Sequence, residues 1–172
     1  MKTKMSILVL FLFLIVTAGY TQEKSKKQLR GERKIEKEKQ IAALVNSKEF
    51  VFIGRTALPQ GFRTIDLTTN PNYVEFKPDK IKSEMPFFGR AYSGVAYSRD
   101  GGLHFEGSPK EFTVEKEKKA YQIKTVVKGD NDIYTLFLSV SFGGSATLTI
   151  SSNNRSTISY YGEIRPIEKK TS

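Results

Sequence analysis

The chain has 172 residues, a formal net charge of +10 and no cysteine. The missing cysteines exclude disulfides, thiol catalysis and thiolate metal sites, and with them the small disulfide-dense secreted scaffolds. The chain is long enough to bury one core without such cross-links.

Residues 1–21 have the order of a secretory signal peptide. Lys2 and Lys4 precede an unbroken apolar run at 7–16, and small and polar residues follow it. This order is typical of export signals. The run is too short for a bilayer-spanning helix, which needs roughly 20 residues, so we expect cleavage near Gln22 and no retained membrane span. Because there is no cysteine to carry a lipid anchor, we expect the mature protein to be periplasmic or secreted.

Residues 22–31 are predicted to be a disordered basic linker, because Lys, Gln, Glu and Ser offer little apolar surface to bury. Removing Lys2 and Lys4 lowers the net charge from +10 to +8, and residues 22–40 hold eight Lys or Arg against four Glu. Positive charge attracts nucleic acid, anionic lipid and acidic glycans alike. Export argues against nucleic acid, and a solvated tail that keeps the chain soluble is the simpler interpretation.

Residues 32–46 are predicted to form an N-terminal helix. Ile35, Ala42 and Val45 fall near one face, and neither Gly nor Pro interrupts the segment. Apolar residues at this spacing indicate an amphipathic helix. The apolar residues concentrate in the second half, so we expect only that half to pack on a sheet.

Residues 50–167 are predicted to form one β domain. Segments rich in β-branched and aromatic residues alternate with Gly, Asn, Asp and Pro, which is typical of antiparallel strands and tight turns. The clearest stretch is 121–164, with four consecutive strands. The predicted strands are 50–57, 63–67, 73–77, 80–84, 103–106, 112–116, 121–128, 133–142, 146–150 and 156–161.

Alternation within one strand predicts the core face. Side chains at every second position share a face, and one face of 133–142 is continuously apolar: Tyr134, Leu136, Leu138, Val140 and Phe142. With no helical segment between the strands, the pattern favours a mainly β fold. We predict a single antiparallel β-sandwich or partly open barrel of about 8–10 strands with one N-terminal α-helix.

Two segments carry a resemblance to a known family. Residues 85–91, Met-Pro-Phe-Phe-Gly-Arg-Ala, and 152–162, Ser-Asn-Asn-Arg-Ser-Thr-Ile-Ser-Tyr-Tyr-Gly, resemble hallmark segments of DUF4251, an exported domain of unknown function from Bacteroidota-type bacteria. The resemblance runs from about Glu38 to Ile164. The family pattern has Leu-Pro-Tyr-Phe-Gly-Arg where this chain has Met85 and Phe87, so that tyrosine hydroxyl is missing. The resemblance implies export and architecture, and no particular chemistry.

His104 is the only histidine. It could serve as the base of a triad with Ser93 or Ser98, but the sequence has no nucleophile elbow, and a solvent-facing strand histidine is the simpler interpretation. A metal set of His104, Asp100 and Glu106 would lack a second imidazole. We therefore expect no metal and no cofactor.

The acidic residues do not indicate a calcium site or a catalytic pair of carboxylates any more strongly than His104 indicates a catalytic or metal site. Residues 129–132, Gly-Asp-Asn-Asp, lack the closing bidentate Glu of a calcium loop and are explained by turn formation. Glycoside cleavage would need two carboxylates across a cleft, whereas the candidates lie on different segments: Asp66, Glu75, Glu84, Glu106 and Glu163. We expect the protein not to be an enzyme.

Arg90 and Arg155 are the strongest candidates for binding. Each lies where a guanidinium could present its planar fork to a carboxylate or phosphate. The structural alternatives are that Arg90 stacks on Tyr92 or Phe88, or that either arginine pairs with a nearby Glu. The predicted ligand-binding residues are Phe87, Phe88, Arg90, Tyr92, Tyr97 and Arg155.

The first functional interpretation is an exported, non-catalytic binding or envelope-associated module for a small amphipathic or anionic ligand, or for an envelope component. One alternative is a lipocalin-like carrier with an apolar ligand inside a barrel, lined by Tyr134, Leu136, Leu138 and Val140. Another is an envelope glycan hydrolase. A cavity of several hundred Å³ would favour the carrier, and two acids within about 10 Å across a groove would favour the hydrolase.

Overall fold

The computed structural model describes residues 25–61, 63–69, 72–92, 101–130 and 132–168. The predicted signal peptide and the 93–100 segment, which contains Tyr97, lie outside the described residues. Two compact units are present, the first ending at Ile35 and the second beginning at Glu36. Within the described ranges, every helix is too short or too polar to cross a membrane.

Helix α1 spans Lys26–Ser47, so it begins upstream of the predicted start at residue 32. The prediction of a disordered linker was wrong for residues 26–31. A capping box explains the early start: the Ser25 amide donates to Gln28 Oε1 at 2.9 Å, and the Gln28 amide donates to Ser25 Oγ at 3.3 Å. These reciprocal bonds satisfy helix-terminal amides, and Lys, Arg, Gln and Glu are strong helix formers.

The second half of α1 belongs to the second unit and contributes Ile41 and Val45 to the core. The predicted packing of this half is therefore confirmed. All the strands follow: β1 Phe50–Pro59, β2 Ile65–Asp66, β3 Tyr73–Phe76, β4 Ile81–Met85, β5 Leu103–Gly107, β6 Pro109–Lys116, β7 Ala120–Lys128, β8 Ile133–Ser141, β9 Ser145–Ser152 and β10 Ile158–Arg165.

These ten strands form one antiparallel sheet in the order β5, β4, β3, β1, β10, β9, β8, β7, β6, with β2 paired to β1. Strands β5 and β6, at the two ends of this order, are separated in sequence by Ser108 alone. Gly107 of β5 lies against the carbonyl group of Lys128 of β7. The edges of the sheet therefore come together, and the sheet is nearly closed into a barrel.

The fold class is confirmed as mainly β and antiparallel with one N-terminal helix. Of the two arrangements left open by the sequence, the barrel is observed. Residues Tyr134, Leu136, Leu138 and Val140 are buried, as predicted. Phe142 is only half-buried, because it lies beyond the end of β8, and its ring meets the Tyr121 ring edge-on at 5.4 Å.

A glycine pair fixes the junction of β1 and β10. Gly54 is opposite Gly162, and the register shifts between Gly54 and Thr56. A Cβ atom at Gly162 would collide with the carbonyl oxygen of Ile53. Glycine is therefore required where the two backbones approach each other at this bulge.

Candidate functional site

The segment that follows β4 is held against the turn between β9 and β10. Ala91 and Arg155 form an antiparallel bridge. The Tyr92 amide donates to the carbonyl of Asn154 at 2.8 Å, and the Ser156 amide donates to the carbonyl of Arg90 at 2.9 Å. The two family-like sequence segments are thus paired in space at one end of the barrel.

Gly89 and Ser156 tighten this junction. The Arg90 amide donates to Ser156 Oγ at 3.0 Å. A Cβ atom at Gly89 would collide with that same oxygen and with the ring of Phe87. The segment carrying Arg90 is therefore held by both backbone and side-chain hydrogen bonds.

Arg155 is occupied by contacts within the protein. Its Nη1 donates to the carbonyl of Gly102 at 2.6 Å and to that of Gly101 at 3.2 Å. Its guanidinium lies 5.2 Å from the centroid of the Phe87 ring, within the range of a cation–π interaction. Arg155 thus joins the β9–β10 turn to the residues before β5 and to the segment after β4.

Tyr160 holds the start of the segment that follows β4 from the core side. Its side chain is buried, and its hydroxyl donates to the carbonyl of Pro86 at 2.7 Å. Burial raises the pKa of the Tyr160 phenol far above its ordinary value, and the nearby positive charge of Arg155 acts in the opposite direction. The phenol therefore remains a neutral hydrogen-bond donor.

Arg90 and Tyr92 are exposed at the outer edge of this assembly, and 56% of the Tyr92 surface is accessible. Within the described ranges, the Arg90 guanidinium has no hydrogen bond, ion pair or aromatic ring contact. The stacking predicted as an alternative for Arg90 is instead made by Arg155, on Phe87. Phe88 is half-buried and packs against the core.

The two arginines do not converge. Residues paired directly across an antiparallel bridge point to the same face, and neighbours in sequence point to opposite faces. Arg155 pairs with Ala91, so Arg90 points to the other face, on the side of Ser156. Of the predicted ligand-binding residues, the structure gathers Phe87, Phe88, Arg90, Tyr92 and Arg155 at one end of the barrel. Tyr97 lies outside the described residues.

His104 faces outward from β5, where its Nδ1 lies 2.7 Å from Glu84 Oε2, and Lys82 contacts the other oxygen of the same carboxylate at 3.2 Å. Burial raises the pKa of Glu84, but the hydrogen bonds from His104 and Lys82 together outweigh it and lower the pKa. Ser83 faces the core and donates to the carbonyl of Leu103 at 2.7 Å. Ser93 and Ser98 lie outside the described residues.

The 129–132 turn uses its oxygens internally. Asp132 Oδ1 accepts from the amides of Ile133 at 2.8 Å and Asn153 at 3.2 Å. Across the part of the chain that the structure describes, no three His, Asp or Glu side chains are grouped to hold a metal ion.

Besides Tyr92 at the end of the barrel, the outside of the sheet carries an exposed aromatic surface that was not predicted from the sequence. Phe137 and Tyr161 are 46% and 50% exposed. Phe137 interrupts an otherwise polar row, Thr135, Ser139 and Ser141, which was the available signal.

These observations define a class: a helix-bearing, nearly closed antiparallel barrel with a hydrogen-bonded aromatic and arginine cluster at one end. The model of the family described as a domain of unknown function, DUF4251, matches residues 32–164. The chain belongs to the DUF4251 family.

A solved structure shares this fold. It is a DUF4251 family protein from Bacteroides eggerthii, with a TM-score of 0.60 and 19% sequence identity over 76% of this chain and 87% of that one. None of the curated proteins matches the chain significantly.

Proposed function

We propose that this protein is an exported, non-catalytic binding module that holds an anionic or amphipathic ligand at the end of the barrel. The ligand docks on the exposed edge formed by Arg90 and Tyr92. The observation that carries the proposal is that the free guanidinium of Arg90 projects from a segment whose backbone is fixed by hydrogen bonds to residues 154–156. A fixed segment lowers the entropy cost of binding.

The chemistry of the ligand follows from these side chains. An arginine fork binds a carboxylate or phosphate in a bidentate manner, and the exposed ring of Tyr92 offers apolar surface. Arg155 supports the site by positioning it, because its Nη1 is already used by the carbonyls of Gly101 and Gly102.

The acidic residues support a non-catalytic role. A glycan hydrolase needs one carboxyl group whose pKa is raised in an apolar pocket. Instead, hydrogen bonds from Thr68 lower the pKa of Asp66, and hydrogen bonds from Arg55 and Arg165 lower the pKa of Glu163. Each of the other candidates contacts a lysine: Glu75 with Lys77, Glu84 with Lys82, and Glu106 with Lys80.

The barrel interior favours a surface site over an internal carrier site. The inward residues Tyr134, Leu136, Leu138 and Val140 belong to one buried cluster that also includes Ile41 and Val45 of α1. Within this cluster, the Phe105 and Tyr134 rings stack with centroids 4.0 Å apart. This packing of side chains inside the barrel supports a surface site.

A concavity of about 490 Å³ beside the second half of α1 is a weaker candidate. Its lining is mostly apolar, including Ile41, Leu44, Ile164 and Pro166. Binding sites combine apolar walls with convergent polar groups that orient the ligand. The end of the barrel instead offers the charged guanidinium of Arg90 and the side chain of Tyr92 on a segment held by hydrogen bonds.

Export is proposed from the basic, apolar and small-residue order of residues 1–21. The expected location is the periplasm or the exterior. The intact mass of the protein recovered from cell fractions tests this point: a chain starting near Gln22 outside the cytoplasm supports export, and a full-length chain in the cytoplasm contradicts it.

Native mass spectrometry of the protein purified from its own host tests the binding role. We expect a retained mass on the wild-type protein that is lost in Arg90→Ala and kept in Arg63→Ala. Arg63 is a matched control, since it is also exposed and has no ion pair or hydrogen bond within the described ranges. Retention by Arg90→Ala, or no retained mass on the wild-type protein, would contradict the proposal.

A further inference from the structure

The outer face of β7–β10 carries rows of small hydroxyl side chains on its two central strands, β8 and β9. The outward positions of β8 and β9 carry these Ser and Thr residues: Thr135, Ser139, Ser141, Ser145, Thr147, Thr149 and Ser151. The register places them in continuous cross-strand rows, such as Ser139 opposite Thr147. Thr149 Oγ1 lies 2.8 Å from Ser159 Oγ of β10. Each hydroxyl can both donate and accept a hydrogen bond.

Two aromatic rings stand among these hydroxyls. Phe137 is opposite Thr149, and Tyr161 is opposite Thr147. Strand spacing and rise place the two aromatic residues about 12 Å apart, on either side of β9. Of the six exposed large hydrophobic residues in the described ranges, three lie on this face: Ile133, Phe137 and Tyr161. A single oligosaccharide could contact both rings.

The charge on this face is mainly positive. Over β7, β8 and β9, the only charged outward residues are Lys124 and Lys128, which are paired with Phe137 and Ile133. The Lys124 Nζ lies 5.8 Å from the centroid of the Phe137 ring. Neither lysine is within ion-pair distance of a carboxylate in the described part of the chain. The outward acids on the neighbouring strands include Glu115 of β6, opposite Gln122, and Glu163 of β10, opposite Ser145. Glu163 is already paired with Arg55 and Arg165.

We propose that the outer face of β7–β10 is a second binding surface, and that its ligand is an acidic polysaccharide. The aromatic rings stack on the C–H faces of sugar rings, the hydroxyl rows bond the sugar hydroxyls, and Lys124 and Lys128 pair with the acidic groups. This surface is separate from the Arg90 site, and its function does not depend on that site.

Two other anionic partners fit this face less well. A bilayer would leave the rows of hydroxyls without hydrogen-bond partners in its apolar region, which is costly. Nucleic acid binding depends on neutralising many phosphates, and two lysines on three strands neutralise few. The combination of hydroxyl rows, spaced rings and sparse positive charge favours an acidic sugar chain.

Affinity electrophoresis tests the proposal with three acidic probes, namely polygalacturonate, alginate and dextran sulfate, and with neutral dextran. We expect at least one acidic probe to retard the mature protein more strongly than dextran does. Phe137→Ala and Tyr161→Ala should each weaken that binding about tenfold. The Lys124→Gln/Lys128→Gln double variant should reduce its salt dependence. Ile35→Ala is the control and should bind like the wild type, because Ile35 is an exposed large hydrophobic residue of α1 that belongs to neither proposed binding surface.

Several outcomes would overturn the proposal. No retardation by any acidic probe, or equal retardation by dextran, would exclude an acidic polysaccharide. Equal binding by wild type, Phe137→Ala and Tyr161→Ala would place the interaction elsewhere. Stronger binding to vesicles of phosphatidylcholine and phosphatidylglycerol than to the acidic probes would indicate a membrane surface. Far-ultraviolet circular dichroism confirms that the exposed substitutions leave the fold intact.

Discussion

Replacing Arg155 by alanine should lower the free energy of unfolding by about 3 kcal/mol. The short, charge-assisted bond from Arg155 Nη1 to the carbonyl of Gly102, at 2.6 Å, accounts for about 1.5–2 kcal/mol. The bond to the carbonyl of Gly101, at 3.2 Å and exposed, adds about 0.5 kcal/mol. The stack on Phe87, at 5.2 Å, adds about 0.5–1 kcal/mol.

Urea denaturation followed by circular dichroism measures this loss, since the chain has no tryptophan to report on folding. With a slope of about 2 kcal/mol per molar urea, the midpoint should fall by about 1.5 M. Arg155→Lys should show an intermediate loss, because lysine keeps the charge but not the planar fork. Arg90→Ala and Arg63→Ala should stay within about 0.5 kcal/mol of the wild type. A loss below about 0.5 kcal/mol for Arg155→Ala would refute the assigned structural role.

Three further predictions concern the barrel itself. Gly162→Ala should lower the free energy of unfolding by about 3 kcal/mol, because the added Cβ would collide with the opposite backbone. Gly143→Ala should lower it by less than about 1 kcal/mol, since that Cβ would lie 3.8 Å from its nearest neighbour. Equal urea midpoints for the two variants would contradict this prediction. Tyr160→Phe should lose about 1 kcal/mol in the same assay, because the carbonyl of Pro86 loses its donor, and no change would argue against that bond. The pKa of Glu163 is lowered in the folded protein, so the stabilisation from its ion pairs is fully present above the ordinary pKa of 4.5 and is lost as the pH falls through the lowered pKa. Glu163→Gln should therefore flatten the acid limb of the stability–pH curve. An unchanged acid limb would contradict the assignment.

The strands were predictable because their signal is local. Alternation along residues 133–142 identifies the buried side chains, and the turn residues fix antiparallel pairing between neighbours such as β7 and β8. The start of α1 was also encoded locally, in Ser25 and Gln28, but the Lys-rich composition obscured the capping pattern.

The sequence could not predict that Arg155 makes contacts inside the protein while Arg90 is exposed. The partners of Arg155 are Gly101 and Gly102, which are 54 and 53 residues away in the chain, and no short-range pattern reports such a contact. The opposite facing of Arg90 and Arg155 depends on the register of the bridge at Ala91, which is a tertiary feature. The sequence around Arg90 and the sequence around Arg155 are each compatible with a contact to a ligand and with a contact inside the protein.

Hydroxyl-radical footprinting tests the central claim, that the ligand docks on the Arg90–Tyr92 edge. Protein carrying its retained mass is compared with protein from which the ligand has been removed by unfolding and refolding. Tyr92 and Tyr161 are both about half exposed, at 56% and 50%, and so act as reporters of the two surfaces. We predict that ligand removal increases oxidation of Tyr92 and leaves Tyr161 unchanged. Equal oxidation of Tyr92 in the loaded and stripped protein would contradict the account.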